Sequence, residues 1–91
     1  MNPERNKMIA TLVNLVGLAI ENWNLENGDN TDAVGLGDTT VDLSNGKEVF
    51  MVTKEGAVDF KGNLILYNHL HDEDIQNLID AVSQEYELDV E

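Results

Sequence analysis

Residues 3–25 place apolar side chains at the spacing of an α-helix, and this pattern constrains the fold more than any other feature. At 100° per residue the apolar side chains fill an arc of about 160° around the helix. The members of the arc are Met8, Ile9, Leu12, Val13, Leu15, Val16, Ala19, Ile20 and Trp23. Pro3 suits the first helical position, where its missing N–H has no intrahelical partner to lose. We expect a central core helix, with a helix that pairs two subunits as the alternative.

The middle of the chain has the pattern of an antiparallel β-meander. Asn45 and Gly46 separate two runs of strand-forming residues, and this dipeptide favours a hairpin because both turn positions need positive φ. Residues 49–52 are apolar without interruption, which is typical of a strand buried on both faces. The predicted strands cover residues 40–44, 47–53, 57–60 and 64–67.

A second helix is predicted after His71. Leu70 and Ile75 flank the cap position as a hydrophobic staple, and the first turn is acidic, as the helix dipole favours. An apolar stripe about 100° wide follows, and it consists of Ile75, Leu78, Ile79, Val82 and Tyr86.

The element order predicts a single α+β domain over residues 1–91: a long N-terminal helix, a four-stranded antiparallel meander and a C-terminal helix (α-β-β-β-β-α). We expect both helices to pack on one sheet face, with residues 26–40 as a Gly, Asn and Asp-rich acidic loop and residues 87–91 as an acidic tail. The other face of residues 49–52 would then stay open. Open apolar faces usually mark interfaces, so a homodimer is expected slightly more than a monomer. Four of the five aromatic residues are expected in the core, namely Trp23, Phe50, Phe60 and Tyr67.

Acidic residues are concentrated in two segments of the chain. The sequence holds 18 Asp and Glu against five Lys and Arg, for a net charge of −13. Residues 27–46 contribute −4 and residues 62–91 contribute −8, and neither segment contains a lysine or arginine. Solubility needs a net charge of magnitude only about 2–8. The excess argues against direct binding of nucleic acid or anionic membrane.

The acidic segments are therefore the candidate partner-binding surface. Glu73, Asp80 and Glu87 recur every seven residues, about 10.5 Å apart along one helix face. Such a row would present a basic protein with something like a phosphate track, whereas the alternative is a solvated helix face. The full candidate set is Asp72, Glu73, Asp80, Glu85, Glu87, Asp89, Asp29, Asp32 and Asp38.

Metal and catalytic motifs have little support in the sequence. The loop residues Asn27, Asp29, Thr31, Asp32 and Asp38 carry calcium-type oxygen ligands, but their spacing does not match an EF-hand. His69 and His71 lie two residues apart with Asp72 and Asp74 behind them, short of a recognisable zinc pattern. No nucleophile elbow or phosphate-binding glycine loop is present, and cysteine is absent. We expect no enzyme activity, no metal and no cofactor.

In size, acidity and element order the chain resembles small phage-encoded inhibitors of host defence nucleases, including some anti-CRISPR and DNA-mimic proteins. The resemblance covers gross features and implies no roles for individual residues. It implies a non-enzymatic protein that occupies the basic surface of a nucleic-acid-binding protein. The alternative is a small homo-oligomeric structural or accessory protein whose acidity confers only solubility.

The first apolar run does not have the pattern of a targeting signal. Arg5 and Lys7 precede it, but Asn14 interrupts it and no small-residue cleavage site follows. The run over residues 8–20 is also shorter than the roughly 20 residues of a membrane span. We expect a cytoplasmic protein, in the cytoplasm of the host cell if it is phage-encoded.

Overall fold

A computed structural model describes residues 3–37 and 40–88. It confirms an α+β fold with two helices packed against an antiparallel sheet of five short strands. The elements are α1 (Pro3–Asn27), β1 (Ala33–Gly35), β2 (Val41–Asp42), β3 (Glu48–Thr53), β4 (Gly56–Asp59), β5 (Leu64–Leu66), a 3-10 turn (Tyr67–His69) and α2 (Asp72–Glu85).

The sheet is built around β3. One edge of β3 pairs with β1 along residues 51–53 and with β2 along residues 48–49, while its other edge pairs with β4, which pairs in turn with β5. The strands β1 and β2 therefore lie end to end on one edge of β3. Five strands occupy four positions in the sheet, and every pairing is antiparallel.

The prediction that residues 26–40 form a loop throughout is wrong at Ala33–Gly35, which is β1. Val34 lies opposite Val52 and is buried, so this strand contributes to the core. Ala33–Gly35 is too short to show the alternation of apolar and polar residues that indicates a strand. The strand is stabilised by its distant pairing with β3.

A β-bulge explains the unbroken apolar run in β3. The pairing register shifts between Val49 and Met51, so Val49 lies opposite Asp59 while Met51 lies opposite Val58. A bulge adds one residue to one strand and resets the alternation of its side chains. Val49 and Val52 are consequently both fully buried although they lie three positions apart. The expectation that residues 49–52 are buried on both faces is wrong, because only these two valines face the helices.

Both helices cover the same face of the sheet and share its core. The row of register partners Val34, Val52, Ala57 and Ile65 faces them. The buried residues of α1 are Leu12, Leu15, Val16, Ala19 and Ile20. The stripe of α2 is buried at Ile75, Leu78, Ile79 and Val82, with Tyr86 partly buried, as predicted. The staple residues Leu70 and Ile75 are also buried, and His71 occupies the N-cap position.

Two of the four aromatic residues expected in the core lie at the surface. Tyr67 is buried, and its hydroxyl donates to the Thr53 carbonyl at 2.5 Å. Trp23, however, is 42% exposed and Phe60 is 62% exposed. Phe60 stacks on Phe50 with ring centroids 4.7 Å apart.

Helix α1 meets the length and composition criteria for a membrane-spanning segment. Its most apolar 18-residue window has a mean hydropathy of 1.2, and 28% of that window is buried. At 25 residues the helix is longer than the apolar run considered in the sequence. Core helices of globular proteins and signal sequences meet the same two criteria, and here the helix packs against the sheet and α2.

Candidate partner-binding surface

The two helices run side by side in the same direction. At their N-terminal ends the Arg5 guanidinium donates to Asp72 Oδ1 at 2.6 Å and to the Asn68 carbonyl at 3.0 Å, and it also contacts the Leu70 carbonyl. At their C-terminal ends Trp23 of α1 lines one shallow depression with residues that follow Gln84. The complete lining is Asn22, Trp23, Glu26, Glu85, Tyr86 and Glu87.

Three acidic residues therefore line one depression where both helices end, and we call Glu26, Glu85 and Glu87 the acidic end. Each of the three residues is exposed. The C-terminus of a helix carries a partial negative charge, and neither last turn contains a basic residue. Two helix dipoles and three carboxylates thus add their negative potential at one place. Trp23 offers an aromatic face beside them.

The chain after α2 is held in place by Tyr86. Its hydroxyl donates to the Gly35 carbonyl of β1 at 2.5 Å. Burial and the neighbouring Glu85 carboxylate raise the pKa of Tyr86, so the hydroxyl stays protonated and keeps donating. The Leu88 amide donates to the Ser83 carbonyl at 2.9 Å, and Glu87 adopts a φ of 53°. These contacts close the helix and fix the direction in which Glu87 leaves it.

Glu85 lies against the loop that joins β1 and β2. A Cβ built on Gly37 would be 2.1 Å from Glu85 Oε2, and Gly37 has a φ of +66°. The positive φ therefore favours glycine at this position, and the missing side chain leaves room for the Glu85 carboxylate.

The predicted row along α2 is shorter than the sequence suggested. Glu73 and Asp80 are exposed on the helix, about 10.5 Å apart along its axis. Glu87 is not the third member of this row, because α2 ends at Glu85 and the backbone turns away. Asp80 accepts from Gln76 Nε2 at 3.1 Å, and Asp72 is occupied by the ion pair with Arg5.

The acidic loop residues form a separate group. Asp29 and Asp32 line a depression on α1 together with Glu21 and Lys54. The lysine reduces the negative charge there, so this group is weaker than the acidic end. The remaining candidates Asp38 and Asp89 lie outside the described residues.

Glu26 is the functional candidate that the sequence reasoning missed. The sequence analysis placed it at the start of the loop over residues 26–40 and outside the candidate set, whereas it lies in the last turn of α1, and only the parallel arrangement of the helices brings it to Glu85 and Glu87. The available signal was the absence of any basic residue near the C-terminal ends of both helices.

Two buried carboxylates have local structural roles. Asp74 accepts from the Ser44 amide at 3.0 Å and from the Ser44 hydroxyl at 2.9 Å, which fastens the hairpin after β2 to the first turn of α2. Asp59 accepts from the backbone amides of Lys61 and Asn63, both at 2.9 Å. Ser44 is therefore engaged in a tertiary contact.

The candidate metal ligands do not converge within residues 3–37 and 40–88. No group of three or more His, Asp or Glu side chains with a metal-binding arrangement occurs in this part of the chain. His69 and His71 are both exposed. Asp74, which stood behind them in sequence, is directed to Ser44 instead.

Comparison with family models, with curated proteins and with solved structures finds no match to this chain.

Proposed function

We propose that this chain is a small non-enzymatic binding protein of the cytoplasm that uses its acidic end to occupy the basic surface of a partner protein. The partner would be a nucleic-acid-binding protein such as a defence nuclease. The observation that carries the proposal is the meeting of Glu26, Glu85 and Glu87 at two helix C-termini. A groove lined with Lys and Arg for phosphates would accept the same pattern of charge.

The distribution of basic residues supports a directed surface over uniform solubilisation. Lys47, Lys54 and Lys61 all come from the segment that contains β3 and β4. Arg5 is engaged at the opposite end of the helices from the acidic end. The acidic end thus has no cation from its own helix turns to neutralise it. A partner's lysines and arginines would supply that neutralisation.

Trp23 adds a contact that charge alone does not provide. It is 42% exposed beside the acidic end, and an exposed tryptophan ring attracts arginine and lysine side chains by cation–π interaction. The combination of an aromatic face with carboxylates favours arginine-rich grooves, since guanidinium groups both stack and form bidentate contacts.

The test is displacement of a labelled DNA duplex from a panel of basic nucleases, measured across a salt series. The E26Q/E85Q/E87Q variant removes three charges from the acidic end. We expect it to weaken displacement by about 10–100-fold, since close charge pairs across an interface couple by at least about 1.5 kcal/mol each and add incompletely. Added salt should weaken direct binding of the wild type to the DNA-free nuclease, which is measured separately because salt also weakens binding of the duplex.

The matched control is D42N/E48Q/E55Q, which removes the same number of charges from exposed residues of the sheet layer. We expect a change of less than about 3-fold, because these positions lie away from the acidic end. If both variants displaced DNA equally poorly, the attraction would be non-specific, and this result would contradict the proposal. Binding that does not respond to salt would contradict it as well.

The alternative function is a small homo-oligomeric structural or accessory protein, and the open face of the sheet favours it. In that case the E26Q/E85Q/E87Q variant forms the same homo-oligomer as the wild type. Salt separates the two functions, because screening weakens attraction to a basic partner but reduces repulsion between two acidic copies.

A further inference from the structure

The face of the sheet opposite the helices is apolar and uncovered. Met51, Val58 and Leu64 are register partners and form one row across β3, β4 and β5. Leu66 lies opposite Gly56 in the next row, and Phe60 directly follows β4 and stacks on Phe50 of β3. We call Met51, Val58, Phe60, Leu64 and Leu66 the outer face.

The outer face exposes large apolar side chains together. Phe60 is 62% exposed, Leu64 50% and Leu66 37%, while Met51 and Val58 are partly exposed. Single exposed apolar residues are ordinary, but a contiguous set on a sheet face is usually an interaction site. Both helices lie on the other face, so none of the described elements covers this one.

Charge identifies what can cover this face. The whole chain carries −13, yet residues 47–61, which include β3 and β4, sum to zero. Two copies that approach through their helices bring like charges together, whereas two copies that approach through the outer face do not. The face is therefore apolar, and most of it comes from the one segment of an acidic chain that has no net charge.

The rim of the outer face carries charges of both signs. Lys47, Glu48 and Lys61 line one depression together with Phe60. A two-fold axis through the face repeats this rim on the opposing copy, so lysines of one copy can meet glutamates of the other. The mixed charges of this rim do not suit nucleic acid, which binds to positively charged surfaces, or basic proteins, which bind to negatively charged ones.

We propose that the outer face is the interface of a homodimer, with a second copy of this chain as its occupant. This leaves the acidic ends of both copies free, so the inference goes beyond the proposed function and does not depend on it. The dimer would present two acidic ends from one particle.

The size of the face sets the expected strength of the dimer. The three strands that carry the outer face lie about 4.8 Å apart and average about four residues at about 3.3 Å per residue, which gives roughly 200 Å² of flat area. Stable specific interfaces bury about 800 Å² per partner, and the charged rim adds only part of the difference. We therefore expect a weak, reversible dimer that forms only at high protein concentration.

The first test is sedimentation equilibrium of the full chain at about 0.15 M salt, over a concentration series that reaches about 1 mM. We expect the mass to rise from one chain to two. The L64Q/L66Q variant should remain monomeric throughout. The matched control L18Q/L25Q replaces two exposed leucines of α1 and should dimerise like the wild type.

The outcomes that overturn the proposal are distinct. A wild type that is monomeric at the highest concentration overturns it, as does an L64Q/L66Q variant that still dimerises. A control that loses the dimer would place the interface on α1 instead. None of these results changes the expectation for the acidic end, which is tested with a different partner and different variants.

A second measurement needs no variant and so does not depend on folding of L64Q/L66Q. Methionine methyl resonances of the wild type are recorded during dilution. Met51 lies on the outer face and Met8 on α1, and both are partly buried. We expect the Met51 methyl to shift with concentration while the Met8 methyl stays constant. A constant Met51 methyl would overturn the proposal.

Discussion

At the scale of single residues, the buried acids of this chain shape its turns. Asp59 is 5% exposed and accepts hydrogen bonds from both backbone and side chain of Asn63, with a further bond from the Lys61 amide. Gly62 has a φ of +84° and completes the turn between β4 and β5. The Asp59 carboxylate thus accepts hydrogen bonds from backbone amides of the turn that have no strand partner.

Because of this turn, the stability of the fold depends on pH below about pH 4. The hydrogen bond from the Asn63 amide lowers the pKa of Asp59 below its ordinary value of 3.8. A lowered folded-state pKa contributes stability above pH 3.8, and that contribution is lost as the pH falls towards the folded-state pKa. We expect D59N to lower the melting temperature at pH 7 and the difference from wild type to narrow below pH 3.8.

Thermal melting followed by circular dichroism from pH 7 to pH 2.5 checks this expectation. The matched control is D42N, because Asp42 is exposed on the edge strand β2. A difference between D59N and wild type that stays constant through the acidic range would contradict the role given to the Asp59 carboxylate.

At the scale of elements, Gly17 in α1 and Gly56 in β4 differ in how much space surrounds them. Gly56 of β4 approaches β5 so closely that an added Cβ would lie 2.2 Å from the Ile65 carbonyl oxygen. Gly17 of α1 has space, since an added Cβ would lie 3.6 Å from Lys54 Cε and meet nothing nearer. The sheet therefore requires glycine at position 56, whereas the helix can accept a larger residue at position 17.

Gly17→Ala and Gly56→Ala should consequently change the free energy of unfolding in opposite directions. Alanine in a helix interior is favoured over glycine by about 0.5–1 kcal/mol, so G17A should stabilise the fold by that amount. G56A should destabilise it by at least about 2 kcal/mol, because backbone must move. Urea unfolding of both variants measures the two values. A stable G56A protein would contradict the close approach of β4 and β5.

The helices and most strands were predictable because their patterns are local. The staple at Leu70 and Ile75, the Asn-Gly turn and the arc of α1 each depend on a few neighbouring residues. Strand β1 was not predictable, since Ala33–Gly35 is held by residues almost twenty positions away in β3. The bulge in β3 was equally hidden, because four apolar residues in a row fit a doubly buried strand just as well.

The candidate surface was predictable in composition and not in geometry. Acidic residues near the end of the second helix were visible in the sequence, but the end of α2 at Glu85 removed Glu87 from the row with Glu73. The addition of Glu26 depends on the parallel direction of the two helices, which no local pattern encodes. Trp23 was assigned to the core as a member of the apolar arc of α1, whereas its position near the end of the helix exposes it.

At the scale of the whole molecule, charge and apolar surface are sorted onto different sides. The helical layer carries the acidic end, and the sheet layer carries three lysines and the open outer face. One side attracts a basic partner and the other accepts a second copy. Two copies joined through their sheets would direct their helical layers outward, so both proposed contacts are compatible in one assembly.

The central claim is that the negative potential is concentrated at the acidic end, and near-surface potential measured by NMR tests it most directly. Amide relaxation is compared with a cationic and an anionic paramagnetic cosolute, at a concentration where the chain is monomeric. We predict strong preference for the cation at Glu26, Glu85 and Leu88, and nearly equal effects at Val58 and Leu64. Equal preference for the cation at all five amides would contradict the claim.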